Sequence, residues 1–322
     1  MTRRDNRIDV MRGIAITLVV LEHALGNSLV SVQNIILSFH MPLFFMISGI
    51  FAKSLYQGEF IKDLQKKARS ILIPQITLSL IAFFYNTVIS YWILHAISIN
   101  EVNYISYLFG YWFLHVMFQV SILWEILNRI IKNKGAVIYA VLVTTTIYLF
   151  LTPTGTKGPL YIAVTPVALE FYTLGFLLKQ KGALKKKSVL VEALLFVSVC
   201  IIGILNGRVL MYENQYGNPV LFLLTSVAGF YLVNDISYYL KNQRLLSWIG
   251  KNSVIIYVLH FFIVQGIRGF MSRMVGGFSE SQMFGIVIFL IAYTIVLGMT
   301  WFCDKHLGIL FGRSRCIRNG RE

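Results

Sequence analysis

Two residues inside the first apolar stretch, Arg12 and His23, carry the chemistry that most needs explaining. They are eleven positions apart. At about 3.6 residues per turn this is close to three whole turns, so both side chains share one helix face, roughly 16 Å apart along the axis. A guanidinium at the mouth of an apolar helix and an imidazole in its middle are costly in lipid and by default mark a functional site. Histidine serves as a general base near neutral pH or briefly carries an acyl group, and a cation at the mouth holds an anionic group such as a phosphate.

Other polar residues interrupt apolar runs at similar depth. His23 lies roughly 20 Å from the start of its helix and His40 roughly 9 Å from the opposite start of the next, which are nearly the same level in a core about 30 Å thick. His115, His260 and Glu170 also fall near the middle of their segments. Four imidazoles and a carboxylate at one level predict a polar interior, although any one of them also fits a helix-bridging hydrogen bond. Glu22 precedes His23, and neighbours on a helix point about 100° apart, so it is not assigned as that ring's partner. Arg69 opens an apolar segment in Lys66-Lys67-Ala68-Arg69-Ser70-Ile71-Leu72-Ile73-Pro74. It joins Arg12 as a candidate anion binder, while Lys62, Lys66 and Lys67 read as charges that set topology.

Several chemistries have no signature here. There is no Gly-x-x-x-x-Gly-Lys-Ser/Thr run, no His-Glu-x-x-His helix, and no local Ser-His-Asp or Cys-His pattern. Three cysteines without metal-ligand spacing argue against a zinc site or a disulfide framework. No metal is expected.

The elements that hold these residues are membrane helices. The 322 residues are 57% hydrophobic and 13% charged, with mean hydropathy +0.69. Repeated apolar runs of about 20 residues predict an all-α, polytopic membrane protein. Ten spans are expected, near 10–30, 34–52, 71–94, 105–127, 136–152, 160–178, 188–206, 217–240, 252–270 and 283–303. They form a single domain over 1–322, with a short arm (1–9) and tail (304–322) and no internal repeat. The first span reads as uncleaved, because Glu22 and His23 interrupt it.

The net charge of +15 is topological and does not point to nucleic acid. With a cytoplasmic N-terminus, 25 Lys and Arg residues fall on the inside and only Lys157, Arg208, Arg268 and Arg273 outside, as the positive-inside rule demands. Both termini are then cytoplasmic. The Lys179–Lys187 stretch reads as a solvated inside loop and the Arg-rich tail as a lipid-headgroup contact. The outside loops, about 95–104, 153–159, 207–216 and 271–282, are short, so a large acceptor must enter the bundle itself. Tyr212, Glu213, Asn214, Gln215 and Tyr216 have the polar-aromatic mix that contacts sugars, which is also that of an ordinary interfacial loop.

Several stretches resemble the acyltransferase-3 family of integral-membrane O-acyltransferases. They are Arg7-Ile8-Asp9-Val10-Met11-Arg12-Gly13-Ile14-Ala15; the Arg12-x10-His23 spacing; and Phe39-His40-Met41-Pro42-Leu43-Phe44-Phe45-Met46-Ile47-Ser48-Gly49. Tyr111-Trp112-Phe113-Leu114, Ile249-Gly250-Lys251-Asn252-Ser253 and Tyr257-Val258-Leu259-His260 add weaker likeness. The second-span stretch looks closest to the fucose 4-O-acetylase-like branch. The resemblance implies a bacterial cytoplasmic-membrane enzyme that uses acyl-CoA, most often acetyl-CoA, as co-substrate. The acceptor it implies is a hydroxyl on a sugar of a surface polysaccharide or lipid-linked glycan. It also implies that His23 and Arg12 are essential. The added extracytoplasmic esterase-like domain of many members has no counterpart in these residues.

On this reading His23 is the base or acyl carrier. Arg12 and Arg69 hold the CoA phosphates, and His40 orients His23 or stabilises the oxyanion. Glu170 supports His23 or the acceptor, and His115 and His260 are further support. A proton-coupled transporter or flippase uses the same residue types. Inverted repeats would mark one, and none is visible.

Overall fold

The computed structural model describes residues 5–52, 60–85, 111–156, 158–274 and 282–307. The described residues form helices and no strands. In chain order they are α1 (Asn6–Leu25), α2 (Val30–Leu37), α3 (His40–Gly49), α4 (Phe60–Tyr85), α5 (Trp112–Ile130), α6 (Lys134–Leu151), α7 (Thr165–Gln180), α8 (Val189–Asn206), α9 (Pro219–Leu240), α10 (Arg244–Lys251), α11 (Ser253–Met274) and α12 (Gln282–His306). Short 3-10 turns precede α7 and α9, at Pro159–Val164 and Met211–Glu213.

Among the described residues, seven segments are long and apolar enough to cross a membrane: the α2–α3 pair, α6, α7 with its 3-10 turn, α8, α9, α11 and α12. The protein is a multi-pass, all-α membrane protein. Helix α1 carries Arg7, Asp9, Arg12 and Glu22, and α4 carries Lys62, Asp63, Lys66, Lys67 and Arg69; this charge dilutes their hydropathy.

The span boundaries differ from expectation in four places. Helix α1 begins at Asn6, capped by the Asp5 carboxylate on the Arg7 N–H. The second span is broken at Ser38 and Phe39 rather than continuous. The Ser38 carbonyl at this break accepts hydrogen bonds from Ser226 Oγ (3.2 Å) and Thr225 Oγ1 (3.4 Å) on α9. Inside lipid a broken helix must satisfy its freed carbonyls in this way. Helix α4 begins at Phe60, eleven residues before the expected span start at 71. An extra helix, α10, occupies what reads as a loop. The stretches 86–94 and 105–110 of the expected spans, the loop 95–104, Lys157 and the Arg-rich tail beyond 307 lie outside the described residues.

Helix α1 is the central element, packed against α2, α3, α9, α10, α11 and α12. Small residues allow the closest crossings. A Cβ on Gly49 would lie 1.9 Å from the Tyr172 carbonyl oxygen, and one on Gly175 would lie 2.0 Å from that of Met46, so α3 and α7 touch backbone to backbone. Gly13 and Gly250 do the same for α1 and α10.

Candidate active site

Helix α1 presents His23 one turn from its C-terminal end, where the chain turns through Gly26 at φ +57°. The absent Cβ there leaves room for the Arg268 guanidinium from α11, whose Nη2 donates to the carbonyls of His23 (2.9 Å) and Ala24 (2.8 Å). A cation thus satisfies two of the terminal carbonyls that a helix end leaves open.

Three imidazoles gather here. The His23 and His260 ring centroids are 5.0 Å apart, and Phe261 packs edge-on to His23 at 5.7 Å. His40 lies within electrostatic range of Glu22 and His23. His40 Nδ1 is 2.8 Å from the Ile36 carbonyl, and His260 Nδ1 is 3.2 Å from that of Ile256. A carbonyl only accepts, so both rings carry their proton on Nδ1 and keep a bare Nε2. In this tautomer His40 suits a role orienting a neighbour and not donation to an oxyanion. His260 Nε2 is buried and has no hydrogen-bond partner among the described residues. His40 and His260 are only 4% and 2% exposed, whereas 37% of the His23 side chain is accessible. His23 is therefore the ring of the three that an incoming group can reach.

Glu22, which the wheel argument turns away from His23, is in fact beside it. Its Oε2 lies 3.6 Å from His23 Nδ1, and its Oε1 accepts from Gln33 Nε2 on α2 at 2.9 Å. Adjacent helical positions diverge at Cβ, but a glutamate is long enough to fold back over its neighbour.

Nearer the Arg12 end, a cavity of about 430 Å³ runs between α1, α3, α4, α5 and α11. Arg12, Lys67 and Lys251 line it together with the apolar side chains of Met41, Phe44, Phe113 and Met117. Tyr257 also lines it, with its ring 5.8 Å from His260, so the cavity adjoins the histidine group. A second hollow of about 240 Å³ shares Phe51, Lys67, Ser70 and Tyr172 with it. Arg12 stacks on Phe51, with the guanidinium carbon 4.8 Å from the ring centre. Lys67 is paired with Glu125 and donates to the Ser121 carbonyl.

The structure does not bring every expected residue together. Arg69 is exposed and does not line either hollow. Lys67, expected to be only a topological charge, and Lys251 occupy the place expected for it. Glu170 is buried on α7, where it accepts from Thr146 Oγ1 (2.8 Å) and lies in electrostatic range of Tyr216, away from His23. His115 is held by the Gln75 side-chain amide. Neither of these hydrogen bonds is to the histidine cluster. Asn214 and Tyr216 are buried: the Tyr216 hydroxyl donates to Asn214 Oδ1 (2.5 Å), and Asn214 Nδ2 donates to the Thr156 carbonyl. These two residues brace the loop and are not open to a sugar. Among the described residues no three His, Cys, Asp or Glu side chains gather as metal ligands.

An accessible imidazole three turns from a guanidinium on the same helix is the arrangement expected from the Arg12-x10-His23 spacing, but it stands in the last turn of α1 and not at the helix middle. The acyltransferase domain profile matches residues 5–303. This chain belongs to the acyltransferase-3 family. It is also similar to the nodulation protein NolL of Sinorhizobium fredii (strain NBRC 101917 / NGR234), 26% identical over 268 residues, covering 70% of this chain and 66% of NolL. The chain thus spans just under two thirds of that relative's length. No solved structure matches.

Proposed function

We propose that this acyltransferase takes an acetyl group from acetyl-CoA on the cytoplasmic side of a bacterial inner membrane. It passes that group to a hydroxyl of a sugar in a surface polysaccharide or lipid-linked glycan. Both termini are cytoplasmic in this reading, supported by the distribution of Lys and Arg along the chain. The observation that carries it is an apolar cavity lined by Arg12 and by Tyr257, whose ring packs 5.8 Å from His260, itself 5.0 Å from the accessible His23 ring.

Arg12, Lys67 and Lys251 hold the nucleotide phosphates, as cations at the mouth of a low-dielectric cavity do best. The apolar walls take the pantetheine arm and keep water from the thioester. His23 accepts the proton of the acceptor hydroxyl as its oxygen forms a bond to the thioester carbonyl carbon. The carbon–sulfur bond breaks, and the His23 proton passes to the departing thiolate. His40 orients the ring.

The test uses membranes containing the full chain, radiolabelled acetyl-CoA and extracted surface glycan, with the product read by NMR as a sugar O-acetyl ester. Wild type should label glycan and His23→Ala should not, at equal membrane insertion. Labelling by His23→Ala at the wild-type rate would overturn the assignment of the base, and labelling from succinyl-CoA but not acetyl-CoA would overturn the assignment of the donor.

A further inference from the structure

Glu22 is 6% exposed, and its two oxygens are divided between two neighbours, Oε1 on Gln33 and Oε2 toward His23 Nδ1. The other charged or titratable groups near this ring are His260, at 5.0 Å between ring centres, His40, and the Arg268 guanidinium on the backbone carbonyls of His23 and Ala24. His40 and His260 take their tautomer from a carbonyl one turn back, at Ile36 and Ile256. His23 has no such bond: the group that Nδ1 meets is the Glu22 carboxylate.

That difference sets the chemistry. A ring that gives Nδ1–H to a carboxylate keeps Nε2 bare for a substrate proton, and the imidazolium it forms meets a negative charge already in place. The 3.6 Å separation is longer than a hydrogen bond, and catalytic contacts of this kind tighten when the ring becomes charged.

We propose that Glu22 is the positioning carboxylate of His23. It holds Nδ1–H toward itself, directs Nε2 to the acceptor hydroxyl and offsets the imidazolium charge during transfer. The proton moves from the hydroxyl to His23 Nε2 and then to the CoA thiolate, and Glu22 itself takes none. Gln33 donates to the other oxygen, Oε1, which links α2 to this residue without being needed for the contact of Oε2 with His23. The proposal rests on His23 being the base.

Two variants separate this role from a merely structural staple between α1 and α2. Glu22→Gln keeps the size and the contact with Gln33 but removes the charge. Glu22→Asp keeps the charge but is one methylene too short to hold Gln33 as well. For Glu22→Gln we expect kcat to fall by about 10-fold or more, towards the roughly 10⁴-fold loss on neutralising the carboxylate of a catalytic triad, with KM for acetyl-CoA unchanged. Glu22→Asp should retain more activity than Glu22→Gln. A staple predicts the reverse order. A Glu22→Gln protein as active as wild type, or more active than Glu22→Asp, overturns the proposal, even with His23→Ala inactive. An active His23→Ala protein removes the base assignment and this proposal with it. Should Glu22→Gln fail to insert, Gln33→Ala puts the same question. It leaves Glu22 able to close on His23 and should retain most activity, whereas a staple predicts a loss.

Discussion

Gly13 of α1 and Gly250 of α10 meet at a crossing where neither has room for a side chain. A Cβ on Gly250 would lie 1.7 Å from the Asp9 carbonyl oxygen, and one on Gly13 would lie 2.3 Å from that of Leu246. Each glycine is followed or preceded by a cation, Lys251 after Gly250 and Arg12 before Gly13. The crossing therefore brings both cations to the same cavity. Gly250→Ala should force the helices apart and destabilise the protein by about 1–3 kcal/mol, the range for overpacking a tight site. Thermal unfolding in detergent measures that loss, and a raised KM for acetyl-CoA should accompany it.

Lys251→Ala tests the mouth of the cavity without touching the crossing. Losing one cation that holds a phosphate should raise KM for acetyl-CoA about 10-fold, equivalent to about 1.4 kcal/mol, with kcat little changed. Arg69→Ala, outside the cavity wall, should change KM less. Steady-state kinetics with varied acetyl-CoA compares the two.

The break between α2 and α3 depends on hydroxyls from α9. Ser226→Ala removes one donor to the Ser38 carbonyl and should cost about 1–2 kcal/mol by leaving a buried acceptor undersatisfied. The Thr225→Val, Ser226→Ala double variant should lose more. Because His40 starts α3 directly beyond the break, acyl transfer should fall with stability, measured on the same membranes.

The loop that precedes α9 separates structure from recognition. Asn214→Ala removes the acceptor for Tyr216 and the donor to Thr156, so it should lower the melting temperature. The KM for a glycan acceptor should stay at the wild-type value, because the side chain that is lost was buried.

Much of this architecture can be read in the amino acids. Apolar length places most of the helices, and the Arg12-x10-His23 spacing puts the two side chains on one face, because helical period determines it. What tertiary contact decides is not legible in this way. The run through Ser38 and Phe39 has no glycine or proline at the break itself, and hydroxyls that meet the Ser38 carbonyl come from α9, far away in sequence; Pro42 is its local sign, because it offers no N–H to that carbonyl four residues back. Lys67 and Arg69 are two positions apart and so on nearly opposite faces of α4, and a charge count cannot say which face meets the cavity. The contact of Glu22 with His23 is hidden from a helical wheel, which describes Cβ directions and not the reach of a long side chain.

Arg268 ties α11 to the last turn of α1 with two hydrogen bonds, through the gap that Gly26 leaves. Swinging α11 outward would take this donor from both carbonyls at the end of α1. That seam is a closed one.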